Sequence, residues 1–415
     1  MTELFAARCT RRLLAGVVAL ALLGCDMDVD HPTIIDADSF DPAGDATTVS
    51  MSAQTRFWSG YASLVLWSAY FSGELWTGAA RVETNDVGRR NVTSSSLDVA
   101  PIWGAVQTGI ADNELAIRVL AAAPEAPTDI NLARASMNAG FAIQLMAETF
   151  CEGVILGGPP LSESQMFDTA AHRFTRAITI ATAIGAGNAE AVKILNAANT
   201  GIARVHLQRK DYTAAATAAA VVPAAFVYNA VRIDDTSNRG LGNTLYSTGT
   251  LGTTVVVPAP YRALDDARVP FTSAGTKAQD GLLDLFRQNK YSGYGSPIRI
   301  ASGLEASYIA AEASLVGSSN QAAALALIAA RRDAGGQPAF AGGSNDLVLA
   351  ELMDQRSRDF WLEARHLGDW RRNPTATPYV EPAGAQHYKT GVFGTATCVP
   401  IPDSERNANP NFPKS

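Results

Sequence analysis

Histidine and cysteine are scarce in this 415-residue chain, with five of the first and four of the second. His31, His172, His206, His366 and His387 are scattered and show no ligand spacing, so no local metal motif exists. H-E-x-x-H, C-x-x-C, the Walker P-loop and the G-x-S-x-G elbow are all missing. "GAGNAE" from residue 185 lacks the third glycine of a dinucleotide loop and follows a helical pattern, so it reads as a hairpin turn. Acid pairs such as Asp359 and Glu363 share a helix face with arginines, the pattern of a solvated or salt-bridged surface. The chain is therefore expected to be no enzyme and to need no cofactor or metal. Charge is also sparse, at 18% of residues, with a net −7 and no long basic run. That argues against nucleic acid as a partner. Beyond the N-terminus no apolar run approaches the ~20 residues of a membrane-spanning helix.

The N-terminus is the exception. Arg8, Arg11 and Arg12 precede "LLAGVVALALLG", the 12 residues from Leu13 to Gly24. This is short for a span and suited to the apolar region of a signal peptide, here residues 1–24. Leu22-Leu23-Gly24-Cys25 has the form of a bacterial lipobox, which makes Cys25 the lipidated first residue of the mature chain. An ordinary secretory signal beside a chance cysteine is the alternative. Acyl chains such as palmitate on Cys25 would anchor the protein to a membrane without a spanning helix. Loss of three arginines and Glu3 with the signal takes the net charge from −7 to −9.

Cys9 leaves with the signal and Cys25 carries lipid, so Cys151 and Cys398 remain. Disulfides persist in the cell envelope, and a Cys151–Cys398 bridge is expected there, two buried free thiols being the alternative. Such a bridge would tie the C-terminal tail to the middle of the chain.

Residues 25–50 are acidic and punctuated by proline and glycine, and read as a lipidated tether and extended arm. Residues 51–415 read as one mainly α domain. From Ala53, Phe57, Tyr61, Leu64, Trp67 (or Ser68) and Phe71 form a stripe at helical period. Helices are also expected over 101–122 and 130–150. Residues 165–184 and 188–222 then form helix–turn–helix units. Gly201, Ala203, Leu207, Tyr212 and Ala216 fall where a tetratricopeptide-type hairpin places its small residues and its tyrosine. Residues 304–334 repeat the idea, and such hairpins must stack to bury their faces. Residues 226–298 read as an irregular loop-rich insertion with short strands such as "TTVVVP" and a helix near 278–288. A last helix spans 345–367.

The chemistry that does appear suits binding. Trp76, Arg81, Asn85, Asp86, Arg89 and Arg90 lie in or beside one loop, 73–96, and Tyr291 and Tyr294 lie in "KYSGYGSP". Aromatic faces stack on sugar rings, while Asn, Asp and Arg hydrogen-bond hydroxyl pairs. Loops on a rigid scaffold are where ligand residues collect. The structural alternative packs Trp76 at a helix end and pairs the arginines with Glu74 and Glu83.

Several segments together resemble the SusD/RagB family of outer-membrane nutrient-binding lipoproteins. The lipobox cysteine leads into "DVDHPTIIDADSF", similar to the opening arm of that family. "CEGVILGGPPLSESQMFDTAAHRFTRAI" is similar to its loop before the repeat helices. "PIRIASGLEASYIAAEASLVGSSNQAAALALIAARRDAG" resembles its late hairpin through Glu305, Glu312, Ala313 and Arg331. "DQRSRDFWLEARHLGDWRR" resembles its arginine- and acid-rich helix through Arg356, Phe360, Glu363, Arg365 and Asp369. "CVPIPDSERNANPNF" matches its closing segment through Pro400, Ile401, Pro402, Glu405, Asn409 and Pro410. The resemblance implies a tetratricopeptide-like helical fold and an outer-membrane, cell-surface location. It implies partnership with a SusC-type TonB-dependent transporter and capture of oligosaccharides, or other nutrients such as peptides, for import. It leaves the arginine- and acid-rich helix structural, with Arg365 and Asp369 placed i,i+4 to pair. An envelope scaffold that uses its repeats only to hold other proteins, without sugar binding, is the alternative reading.

Overall fold

The computed structural model describes residues 39–413. The signal segment, Cys25 and the tether up to residue 38 lie outside the described residues. The first helix, α1, runs Ala46–Ser72. It starts inside the stretch expected to be an extended arm and ahead of Ala53. The cause is burial: Val49 and Ser50 are enclosed, and the Ser50 hydroxyl donates to the Asn131 carbonyl at 3.2 Å. Phe57, Tyr61, Leu64 and Phe71 face the core, with Ser68 rather than Trp67 inside. Gly73, at φ 85°, ends the helix in a left-handed cap.

β1 (Trp76–Thr77), α2 (Val82–Gly88), α3 (Val99–Leu120) and α4 (Ile130–Thr149) follow. α4 is apolar or buried on every side, and Asp129 caps its start through the Asn131 amide. β2 (Glu152–Gly153) and β3 (Leu161–Ser162) pair and lead into α5 (Glu163–Ile184), opened by a Ser162–Gln165 capping box. α6 (Ala189–Gln208), capped by Asn188, and α7 (Tyr212–Ala220), capped by Asp211, complete the first run of hairpins. The insertion holds β4 (Val227–Ala230), α8 (Thr244–Gly249), β5 (Val255–Val256), α9 (Ala259–Arg262), β6 (Phe271–Lys277), β7 (Asp284–Gln288) and β8 (Ile298–Ser302). Then come α10 (Gly303–Ser318), α11 (Ala322–Ala334), α12 (Asn345–Asp359), α13 (His366–Arg372) and α14 (Asp403–Ala408). The strands form only antiparallel pairs: β1–β5, β2–β3, β4–β8 and β6–β7.

From Asp41 onward the chain forms one unit. The two separated hairpins stack directly. Ala203, Leu207, Ala215 and Ala219 of α6 and α7 share a core with Ile309 and Ala313 of α10, as unpaired hairpin faces require. Small residues set the spacing of the first run. A Cβ on Gly201 would stand 2.4 Å from the Phe174 ring, so α6 lies on that ring only because position 201 has no side chain.

Two expected helices are corrected. The segment near 278–288 is a β-turn and strand: Asp280 accepts the Leu282 and Leu283 amides, Gly281 sits at φ 68°, and β7 pairs with β6. The helix expected over 345–367 stops at Asp359. Leu362 and Ala364 adopt positive φ, 58° and 54°, and the chain turns sharply into α13. That turn sends Glu363 to Lys290 and Arg299, at 2.6 and 2.8 Å.

The arginine- and acid-rich segment is not a solvated surface. Glu305 is wholly buried and accepts a two-point contact from Arg204 at 2.6 and 2.8 Å, with Arg365 Nε at 3.1 Å. Arg365 and Asp369 do not pair: Asp369 takes Arg356 and Arg372 instead, at 2.6 and 2.9 Å. Asp359 is held by Arg331, Arg268 and the Tyr308 hydroxyl. Burial pushes the Glu305 carboxyl up, but Arg204, Arg365 and Arg356 outweigh it and hold it at about 2.

The structure joins Cys151 to Cys398, Cα atoms 5.1 Å apart. The Cys151 amide donates to the Val399 carbonyl at 3.0 Å beside them.

Candidate functional site

The chain between α1 and α3 is held from two sides. β1 pairs with β5, placing Trp76 opposite Val256. The loop 379–394 closes over it: the Trp76 ring stacks on Tyr388, centroids 4.4 Å apart and planes 15° from parallel. The Tyr388 hydroxyl accepts the Thr77 amide at 2.9 Å. Trp76 also leans on the small cluster of Val256, Ala278 and Leu285 and stays half-buried.

Lys389 fastens three segments together. Its ammonium donates to Asn85 Oδ1 at 2.7 Å and the Ala79 carbonyl at 2.9 Å, and it pairs with Asp280 at 2.7 Å. Desolvation lowers the Lys389 ammonium, while Asp280 works to raise it. His387, beside Tyr388, is pushed down to about 4 by burial and by Arg89 and Lys389, so its ring is neutral at pH 7.

The candidate residues divide sharply. Trp76, Arg81, Asp86 and Arg89 keep exposed or half-exposed surface. Arg81 pairs with Asp98 at 2.9 Å and lies 3.9 Å from Glu83; Arg89 lies 3.4 Å from Asp86. Asn85 and Arg90, expected as ligand contacts, are buried and turned inward, which corrects that expectation. Asn85 is occupied by Thr77, Ala79, Arg81 and Lys389. Arg90 lies between the Trp370 and Phe393 rings and donates to the Glu381 carbonyl at 2.5 Å. Glu74, the other pairing considered for the arginines, instead accepts the Leu362 amide at 2.8 Å.

Tyr291 is also corrected. It is buried, and its hydroxyl donates to the Leu362 carbonyl at 2.9 Å, a lock on the turn before α13. Tyr294 remains available and forms a second patch. Tyr246 meets it edge-on at 5.0 Å, and the Arg239 guanidinium lies 4.0 Å over its ring. Asn243 fixes this patch by donating its amide to the Tyr294 carbonyl and its side chain to Ser296.

Tyr388, Lys389, Tyr246 and Arg239 are missed by sequence reasoning. Each sits far along the chain from its partner, and the only local signal is a polar aromatic in a short glycine-bearing segment, as in "AQHYKTG" and "NTLYSTG". The larger clefts lie elsewhere, about 660 Å³ along 403–413 and about 480 Å³ between α11 and residues 337–342. Phe412, which lines the first, is buried, and Phe340, which lines the second, is half-buried and packs on the core beside it.

Stacked helical hairpins carrying half-exposed aromatic patches on their connecting loops define a helical-repeat scaffold with candidate binding loops. The fold is that of the SusD superfamily. The chain is similar to a SusD-like carbohydrate binding protein from Bacteroides vulgatus ATCC 8482, with a TM-score of 0.69 and 15% identity over 91% of this chain and 99% of that one. A SusD superfamily protein from Parabacteroides distasonis ATCC 8503 gives a TM-score of 0.68 and 15% identity, again over 91% and 99%. A structure with a xylogluco-oligosaccharide gives 0.67 and 12% identity, over 89% and 99%. No family model matches the chain, and no curated protein matches it. No helix among the described residues is long and apolar enough to cross a membrane.

Proposed function

We propose that the protein is a non-enzymatic surface lipoprotein of the SusD/RagB kind. It is anchored to the outer membrane through Cys25, binds an oligosaccharide, and passes it to a SusC-type TonB-dependent transporter. The observation that carries this reading is the Trp76–Tyr388 stack, a half-exposed aromatic platform rimmed by Arg81, Asp86 and Arg89 on loops of a SusD-like scaffold. Rings offer an apolar face to a pyranose, and the charged rim can bond its hydroxyls. Tyr294 with Tyr246 supplies a second platform. Similarity to a carbohydrate binding protein and to a structure holding a xylogluco-oligosaccharide supports a glycan over a peptide. The lipobox supports the anchor.

A glycan and peptide panel on the purified protein, with affinity capture from solubilised membranes, tests both halves. Binding of an oligosaccharide and recovery of a TonB-dependent receptor are expected. A blank panel with no receptor recovered would return the protein to the scaffold reading.

A further inference from the structure

The two aromatic platforms leave one cleft tryptophan without a role. Trp370, on α13, is half-exposed and lines a cleft of about 320 Å³ with Glu163, Arg371, Pro374 and Thr397. None of these residues belongs to the Trp76–Tyr388 platform or to its rim. Arg90 stands between the two places, 5.1 Å from the Trp370 ring centre and 5.0 Å from that of Phe393. Phe393 in turn lies 6.3 Å from Tyr388. The cleft is a neighbour of the platform, on the other side of a buried arginine.

Its walls are fixed by contacts elsewhere in the fold. The Arg90 guanidinium lies over the Trp370 ring and holds it from within. Arg371 donates to the Ala147 carbonyl of α4 at 2.7 Å and to Glu163, at the start of α5, at 2.5 Å. Thr397 directly precedes Cys398, which the bridge to Cys151 ties down. A cleft with ordered walls gives up little conformational freedom when it binds.

The polar groups of the lining are not used up. Among the described residues, Trp370 Nε1, Arg371 Nε, Glu163 Oε1 and the Thr397 hydroxyl make no hydrogen bond. The first three are not enclosed, and Thr397 is exposed. Together they offer two N–H donors, one carboxylate acceptor, and one hydroxyl that does both. Arg371 and Glu163 pair with each other, so the cleft favours neither an anion nor a cation. An indole beside donors and acceptors of balanced charge fits a neutral ring that carries hydroxyls. The volume lies at the small end of the ~300–1,000 Å³ typical of ligand sites, which suits a sugar residue and not a long chain.

We propose that the Trp370 cleft is a second carbohydrate site, taking a single neutral pyranose. The sugar stacks on the Trp370 indole, and Glu163, Arg371 and Thr397 bond its hydroxyls. This rests on the glycan-binding reading for its ligand class and adds a site to it. One stacked ring binds weakly, so the site fills in the millimolar range.

The test uses the full chain, labelled with nitrogen-15 at tryptophan and purified in a detergent without a sugar headgroup. Methyl glucoside, galactoside, mannoside and xyloside are titrated in, with glucuronate and glucosamine as charged controls, and the indole N–H signals are followed. Trp370→Phe and Trp76→Phe assign their two signals. The Trp370 signal should shift and saturate with at least one neutral glycoside, and should do so equally in Trp76→Phe. Thr397→Val, a change at an exposed position, should weaken that titration at least about threefold. A Trp370 signal that stays still while the Trp76 signal moves sinks the second site and leaves the glycan reading standing. Shifts with a charged control alone overturn the neutral-sugar assignment, and an unchanged titration in Thr397→Val overturns the cleft as their origin. If Trp370→Phe does not fold, the signal whose shift Thr397→Val weakens identifies the site. No shift in either signal, with no oligosaccharide bound in the panel, sinks both readings.

Discussion

Replacing Glu305 by glutamine keeps the volume of the side chain and removes its charge. Arg204 and Arg365 then face each other with no acid between them, and Arg356 Nη2, 3.8 Å from the carboxylate, loses a third contact. Removing one partner of a buried ion cluster costs about 3–5 kcal/mol. The titration gives a second measure. The carboxyl sits at about 2 against an ordinary 4.5, and a depression of that size corresponds to roughly 3 kcal/mol. The sign follows from proton binding. A depressed carboxylate stabilises the fold fully above its unfolded value, and the contribution fades as pH falls from about 4.5 toward 2. Chemical denaturation of wild type and Glu305→Gln, followed by far-ultraviolet circular dichroism, should show the variant about 3 kcal/mol weaker at pH 7, with the gap narrowing below about pH 4. A gap under about 1 kcal/mol at pH 7 would refute the ion cluster as a structural element. A gap that stays constant down to pH 3 would refute its electrostatic origin.

Gly201→Ala should destabilise by about 1–3 kcal/mol despite alanine's better helix propensity, because its methyl must displace Phe174; thermal melting reads this directly. Burial pushes the Glu74 carboxyl up to about 8, so the folded state holds a proton that the unfolded chain releases near 4.5. Stability should therefore fall as pH rises from about 4.5 to 8, and Glu74→Gln should flatten that slope. Opening the Cys151–Cys398 bridge, which spans 247 residues, should cost a few kcal/mol, on the order of 2–5, and expose the tail after Val399 to protease. Equal melting of the reduced and oxidised protein would remove the bridge from the stability account.

The helices are legible in the sequence because their signals are local. Asn188 and Asp211 cap, Gly73 stops, and alanine and glycine mark the faces that touch. The start of α1 is not legible, because only Asn131 and Arg134, far along the chain, give Ser50 a reason to be helical and buried. The break at Phe360 is invisible for the same reason: Glu363 turns toward Lys290 and Arg299, and periodicity carries no record of that. The loop 73–96 is legible as a cluster of binding-type residues. Which of them face outward is not, since Asn85 and Arg90 are drawn in by Lys389, Glu381 and Phe393 from other segments. Tyr388, the partner that makes Trp76 a platform, is separated from it by most of the chain.

The most direct test of the binding account is isothermal titration of wild type, Trp76→Ala and Tyr388→Ala against the oligosaccharide that binds best in the panel. The account predicts wild-type binding that weakens at least about tenfold in each variant, a loss typical of a stacked ring, with the helical circular dichroism unchanged. Undiminished affinity in both variants would contradict it.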